Sequence, residues 1–154
     1  MSLDDWLRIG WLVEHETSPQ EIIELLRIAD RDLRECRAAG LSPDWRLAIA
    51  YNSALQSATA ALSASGYRAS RDGYHYRTIQ SLAETIGADA DMIIRFDGFR
   101  KKRNISDYER SGAISAQEAK EMFVLARNLR KSVADWLKKN YPGFSRCEAV
   151  RSFI

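Results

Sequence analysis

The chain has 154 residues, 45% hydrophobic and 29% charged, with a formal net charge of +2. That length is most simply one domain with one real core, and the apolar and charged fractions are ordinary for a soluble globular protein. Two cysteines, Cys36 and Cys147, set out neither a disulfide framework nor a metal-ligand spacing, and they fit a reducing cytoplasm.

The first residues, Met1-Ser2-Leu3-Asp4-Asp5, are acidic and lack the long apolar run of a signal peptide. No segment approaches the roughly 20 apolar residues of a membrane span. The expected location is cytoplasmic, with no membrane partner. Ser2 followed by Asp5 predicts a short first helix, with Leu3, Trp6, Leu7 and Trp11 as its apolar stripe to about His15. Ser18-Pro19-Gln20-Glu21 is a stronger start: an N-cap serine, proline at the first helical position and a glutamate at the third. Ile22, Leu25, Leu26, Ala29, Leu33 and Cys36 then recur every three or four residues, and Gly40 follows as a stop.

Ser42-Pro43 opens a third helix by the same logic. Seven alanines between positions 43 and 65 suit a helix contacted on several sides, and Gly66 ends it. This is the expected central helix of a bundle. Residues 67–73 read as a polar connection, followed by a short helix from Tyr74 through Ile86, closed by Gly87. A fifth helix starts near Asp89 or Asp91, buries Met92, Ile93, Phe96 and Phe99, and carries Gly98 as a close contact or a bend. Ser111-Gly112 breaks the chain. Ser115-Ala116-Gln117-Glu118 is a capping box for a last helix with the stripe Met122, Ala126, Leu129, Val133, Trp136 and Leu137. Tyr141-Pro142-Gly143 stops it, and residues 144–154 form a tail. No run alternates as a strand does, so the fold class is all-α. Short connections favour an antiparallel bundle of five to six helices, in a single domain over about residues 1–143.

Charge is unevenly spread. Residues 1–50 hold six arginines against ten acids, net −4; residues 51–100 balance five against five; residues 101–154 hold twelve bases against six acids, net +6. A basic C-terminal third suits a phosphate-bearing partner. Its densest part is Phe99-Arg100-Lys101-Lys102-Arg103-Asn104-Ile105-Ser106-Asp107-Tyr108-Glu109-Arg110. On a helix Arg100, Asn104 and Tyr108 share one face, and Arg103 and Asp107 share the next. A planar guanidinium fork grips phosphate oxygens well, whereas an unperturbed phenol is a poor base near neutrality. The plainer alternative is a solvated basic face holding one Arg–Asp pair.

Other chemistry is sparse. There is no phosphate-loop or dinucleotide fingerprint, no GxSxG elbow and no HExxH pair. The only histidines, His15 and His75, do not make a metal-ligand set, so no cofactor or metal is expected. His75 sits in Arg71-Asp72-Gly73-Tyr74-His75-Tyr76-Arg77 as a candidate proton-transfer group or a structural hydrogen-bonding residue. Tyr67, Tyr74 and Tyr76, interleaved with Arg68, Arg71 and Arg77, suit either base stacking or locking of the loop onto the bundle. Lys138 and Lys139 suit the C-terminal end of a helix.

Asp44-Trp45-Arg46-Leu47-Ala48-Ile49-Ala50-Tyr51-Asn52-Ser53-Ala54-Leu55, then Ala61 to Arg68, then Tyr74-His75-Tyr76-Arg77-Thr78, resembles the helical core of bacterial HEPN-domain proteins (higher eukaryotes and prokaryotes nucleotide-binding). Arg103-Asn104-Ile105-Ser106-Asp107-Tyr108 stands where that family carries Arg-Asn-x-x-x-His. The resemblance covers about residues 18–140. It implies a dimeric bundle and, in active members, a metal-independent endoribonuclease, often in toxin–antitoxin or defence systems. By position, Arg103 matches the catalytic arginine and Asn104 the polar residue after it. Tyr108 replaces the catalytic histidine, whose proton transfer contributes about 10²–10⁴-fold. The implied reading is RNA or nucleotide binding by Arg100, Lys101, Lys102, Arg103 and Asn104, with weak or absent cleavage through Arg103 and Tyr108, or through His75 if it folds nearby. The alternative is a non-catalytic homodimeric module partnering a nucleotidyltransferase or an antitoxin, with Arg103, Asp107 and Tyr108 as an internal network.

Overall fold

The computed structural model describes the backbone of residues 1–108 and 113–144 and the side chains of residues 1–104 and 113–144. Within these it is a mainly helical bundle. The helices are α1 (Leu3–Arg8), α2 (Pro19–Glu35), α3 (Pro43–Ala64), α4 (Tyr74–Gln80), α5 (Ala90–Tyr108) and α6 (Ala116–Asn140). Single 3₁₀ turns follow α4 at Ser81–Ala83 and α6 at Pro142–Phe144.

Four helix starts are made by the serines that the sequence singles out. The Ser2, Ser18, Ser42 and Ser115 hydroxyls accept from the backbone N–H groups of Asp5, Glu21, Trp45 and Glu118. Each satisfies one donor that the first turn of a helix leaves without an internal partner. Lys138 and Lys139 occupy the last turn of α6, where cations meet the exposed carbonyls.

α3 is the central helix. It packs against α2 and α6 and also touches α4 and α5. Ala50, Ala54, Ala58, Ala60 and Ala61 are fully buried along it, so their small side chains let neighbouring helices approach from several sides. The main core joins them to Ile22 and Leu26 of α2, Phe96 of α5, and Met122, Ala126 and Val133 of α6. Burial of a Leu- or Phe-sized side chain stabilises by about 1.5–3 kcal/mol. Polar links fix the register of the layers. Ser53 Oγ donates to the Ala29 carbonyl at 2.8 Å, and Asn52 Nδ2 donates to Asp32 at 2.7 Å. Arg130 of α6 forks onto both carboxylate oxygens of Asp30 on α2, at 2.7 and 3.1 Å.

Four local expectations need correction. The first helix ends at Arg8, not near His15, and the chain then forms a strand, β1 (Leu12–Glu14). β1 pairs antiparallel with β2 (Tyr67–Ala69), inside the segment expected to be a plain polar connection. Three-residue strands are too short to display a two-residue period, so no alternation marks them. The ribbon is real nonetheless. Leu12 and Ala69 are buried with Trp6 and Leu62 in a small second core, and Ser70 N–H donates to the Trp11 carbonyl at 2.9 Å. The helix beginning at Tyr74 stops at Gln80 and tightens into a 3₁₀ turn. Gly98 makes no close contact, since a Cβ there would meet nothing within 4 Å. The Ser111-Gly112 break, Cys147 and the tail from residue 145 lie outside the described residues.

Candidate functional site: a cationic cluster on a tyrosine–histidine pair

α5 runs from its buried stripe into the basic stretch as expected, with Phe96 fully buried and Phe99 nearly so. Beyond Phe99 the cationic side chains fan outward. Lys101, Lys102 and Asn104 are exposed, while Arg100 and Arg103 are half-buried. The side chains of Asp107 and Tyr108 lie outside the described residues.

Arg103 turns back onto the bundle. Its guanidinium carbon lies 5.2 Å from the ring centroid of Tyr51 on α3, within cation–π range. Its Nε is buried and has no hydrogen-bond partner among the described residues. An unsatisfied buried donor is costly, more so on a charged group. Tyr51 itself is almost completely buried, packed edge-on against Phe96 at 5.6 Å. Its phenol reaches His75 Nδ1 at 3.1 Å.

His75 is delivered by the start of α4. Gly73 adopts φ +68° ahead of it, a left-handed conformation suited to glycine, and lets the chain enter the helix. Arg77 then stacks its guanidinium 3.7 Å from the Trp11 ring centroid and pins α4 beside β1. The Tyr76 ring remains partly exposed, with Arg77 and Arg100 at 5.7 and 5.6 Å from its centroid.

Electrostatics at this cluster favour neutral partners and an external anion. Burial, and after it the charges of Arg103 and Arg100, push the His75 imidazole below its ordinary value. Burial pushes Tyr51 up to about 12, against the pull of Arg103 and Arg100. A neutral imidazole therefore faces a protonated phenol, and with the ring proton on Nε2 the Tyr51 O–H donates to Nδ1. The hydroxyl can also turn to accept from Nδ1–H, which leaves Nε2 with a lone pair for a substrate proton.

The lysines stand differently. Lys101 Nζ is 3.6 Å from Asp97, whose other oxygen accepts from Arg100 Nε at 2.7 Å. Lys102 pairs with Glu118, which also caps α6. Arg100 thus pairs with Asp97, one turn before the stretch, and an Arg103–Asp107 pair falls outside the described side chains. Arg103 and His75 come together, Arg100 flanks them, and Lys101, Lys102 and Asn104 lie on the outer surface.

Tyr51 and Asp97 were not among the site residues that the sequence suggested. Tyr51 sits among several stripes of α3 and reads as core. The one hint is chemical, because a buried phenol needs a partner for its hydroxyl. Among the described residues no group of three metal-ligating side chains forms, and no helix is long and apolar enough to cross a membrane. No protein-family model matches this chain, and neither the curated proteins nor the solved structures give a match.

Proposed function

We propose that this is a HEPN-like bundle that binds RNA or a nucleotide phosphate at the cluster of Arg103, Arg100, Tyr51 and His75, with at most weak metal-independent ribonuclease activity. The observation that carries the proposal is Arg103, a half-buried guanidinium held over Tyr51 and beside a neutral histidine. A phosphate set against this half-buried guanidinium would neutralise its charge. Asn104, Lys101 and Lys102 would bind the neighbouring backbone, the lysines less strongly because acids already face them.

The same groups support a cleavage step. His75 Nε2 would accept the proton of a ribose 2′-hydroxyl as its oxygen bonds to phosphorus. Arg103 would stabilise the extra negative charge of the five-coordinate phosphorus. The bond from phosphorus to the 5′-oxygen then breaks, and that oxygen takes a proton from water or from Tyr108. The resemblance would make the protein a homodimer and a toxin–antitoxin or defence component.

The test is purified protein with single-stranded RNA in EDTA, followed by binding anisotropy and product gels. Arg103→Ala should weaken binding by about tenfold or more, the scale of one charge-assisted hydrogen bond. Any cleavage should fall in Arg103→Ala, His75→Ala and Tyr108→Phe. Binding and cleavage unchanged in Arg103→Ala would overturn the assignment.

A second reading draws on the paired lysines. With Lys101 held by Asp97 and Lys102 by Glu118, much of the stretch is internally neutralised. That suits a non-catalytic dimeric module partnering a nucleotidyltransferase or an antitoxin. Nucleotide binding that is lost in a folded Arg103→Ala protein would reject it.

A further inference from the structure

We infer that the chain carries a second binding site, for a small organic anion with an apolar body, where the end of α2, the start of α3 and the start of α6 meet. The site goes beyond the RNA reading and shares no residue with it. A cleft of about 520 Å³ opens there, within the range of small-molecule sites.

Its wall is apolar: Leu41, Pro43, Ala119 and Phe123, with Cys36 beside them. Cys36 is 3% exposed, its thiol donates to the Leu33 carbonyl at 3.4 Å, and burial pushes its pKa up. It is therefore a protonated, apolar part of the wall and not a nucleophile.

Three cations rim the cleft, and no carboxylate lines it among the described residues. Arg46 is fixed by three donations, to the carbonyls of Leu41 at 3.2 Å, Cys36 at 3.3 Å and Ala38 at 2.9 Å. They hold the chain between α2 and α3 in place and leave a positive charge at the wall. Arg37 lies with its guanidinium carbon 5.5 Å from the Phe123 ring centroid. Arg37 and Lys120 are exposed and form no ion pair among the described residues.

Complementarity then fixes the ligand class. An apolar body covers the wall and leaves water, while a single carboxylate or sulfonate head meets Arg37 and Lys120. A neutral analogue would gain only the first of these, and a cation would be repelled.

The test uses 1-anilinonaphthalene-8-sulfonate as a fluorescent probe of the full chain, with displacement by decanoate, decanol and decylamine. Saturable one-site binding is expected, displaced by decanoate about tenfold more effectively than by decanol and not by decylamine. Arg37→Glu and Lys120→Glu, both on exposed side chains, should each weaken the probe by about tenfold while the circular dichroism spectrum and RNA binding stay unchanged. Absence of saturable binding, equal displacement by decanol, or undiminished affinity in both variants would overturn the site. Because RNA binding is read in the same variants, failure here is distinct from failure at Arg103.

Discussion

Tyr51 and His75 meet in one 3.1 Å hydrogen bond between buried α3 and the half-buried start of α4. The phenol is held on its other side by Phe96, so the imidazole takes its orientation from the core and not from the loop before it. Tyr51→Phe keeps the ring packing and the surface under Arg103 but deletes the hydroxyl. A stability loss of about 1 kcal/mol in urea unfolding is expected, the net worth of one such bond. In the tautomer with the proton on Nε2 the O–H donates to Nδ1 and favours neutral imidazole, so with that tautomer His75 should titrate closer to its ordinary value in the variant. Proton NMR of the imidazole reads this directly, and an unmoved titration would show that the bond does not tune His75.

Stability should depend on pH through His75 in a definite direction. Its folded value is depressed, first by burial and then by Arg103 and Arg100. An unfolded histidine titrates near about 6.5. Between the folded value and that point the unfolded chain carries the extra proton, so stability rises with pH across the window. The contribution is complete above about pH 6.5 and is lost as pH falls through the folded value. His75→Gln should flatten this part of the profile, and Arg103→Ala should raise the imidazole by removing one cause. Urea midpoints across the window, compared among the three proteins, check both statements. A phosphate seated beside His75 would favour the imidazolium. RNA binding should therefore tighten as pH falls in the wild type and do so less in His75→Gln.

The helical frame was legible because its signals are local. Ser18-Pro19 and Ser115 with Glu118 are complete start signals within four residues, and the stripes Ile22–Leu26–Ala29–Leu33 and Met122–Ala126–Leu129–Val133 are the faces that the bundle buries. The β1–β2 ribbon was not legible, because its stability comes from pairing Leu12 with Ala69 across more than fifty residues. At the candidate site Arg100 and Arg103 stood out by charge density alone. What makes Arg103 unusual is a contact with Tyr51, and no spacing within either helix encodes it. His75 was visible as a histidine, but its nearness to Arg103 depends on how α4 docks against α3 and α5.

Gly98 offers a clean stabilising change. It lies inside α5, and a methyl group there would meet nothing within 4 Å. Alanine loses less backbone entropy on folding than glycine and propagates a helix better, by up to about 1 kcal/mol. Gly98→Ala should raise the urea midpoint by that order and leave RNA binding unaltered. Any destabilisation would mean that α5 needs to bend at this position.

Asp30 and Arg130 pose the opposite problem, a charge pair withdrawn from water at the α2–α6 junction. Asp30 is 1% exposed and Arg130 3%, and the fork geometry satisfies both carboxylate oxygens. Desolvation offsets much of the attraction in such a pair, so its net contribution is small when both partners are present. Removing one partner is different, because the survivor stays buried and unpaired. Asp30→Asn, nearly equal in size, should cost about 3–5 kcal/mol, a large share of the stability of a domain this size. The double variant Asp30→Leu with Arg130→Met removes both charges and fills the space with apolar groups. It should be within about 1 kcal/mol of the wild type, or more stable. Urea unfolding of Asp30→Leu, Arg130→Met and the double closes the cycle. A double variant as damaged as the singles would make the pair a specific structural requirement and not merely a satisfied one.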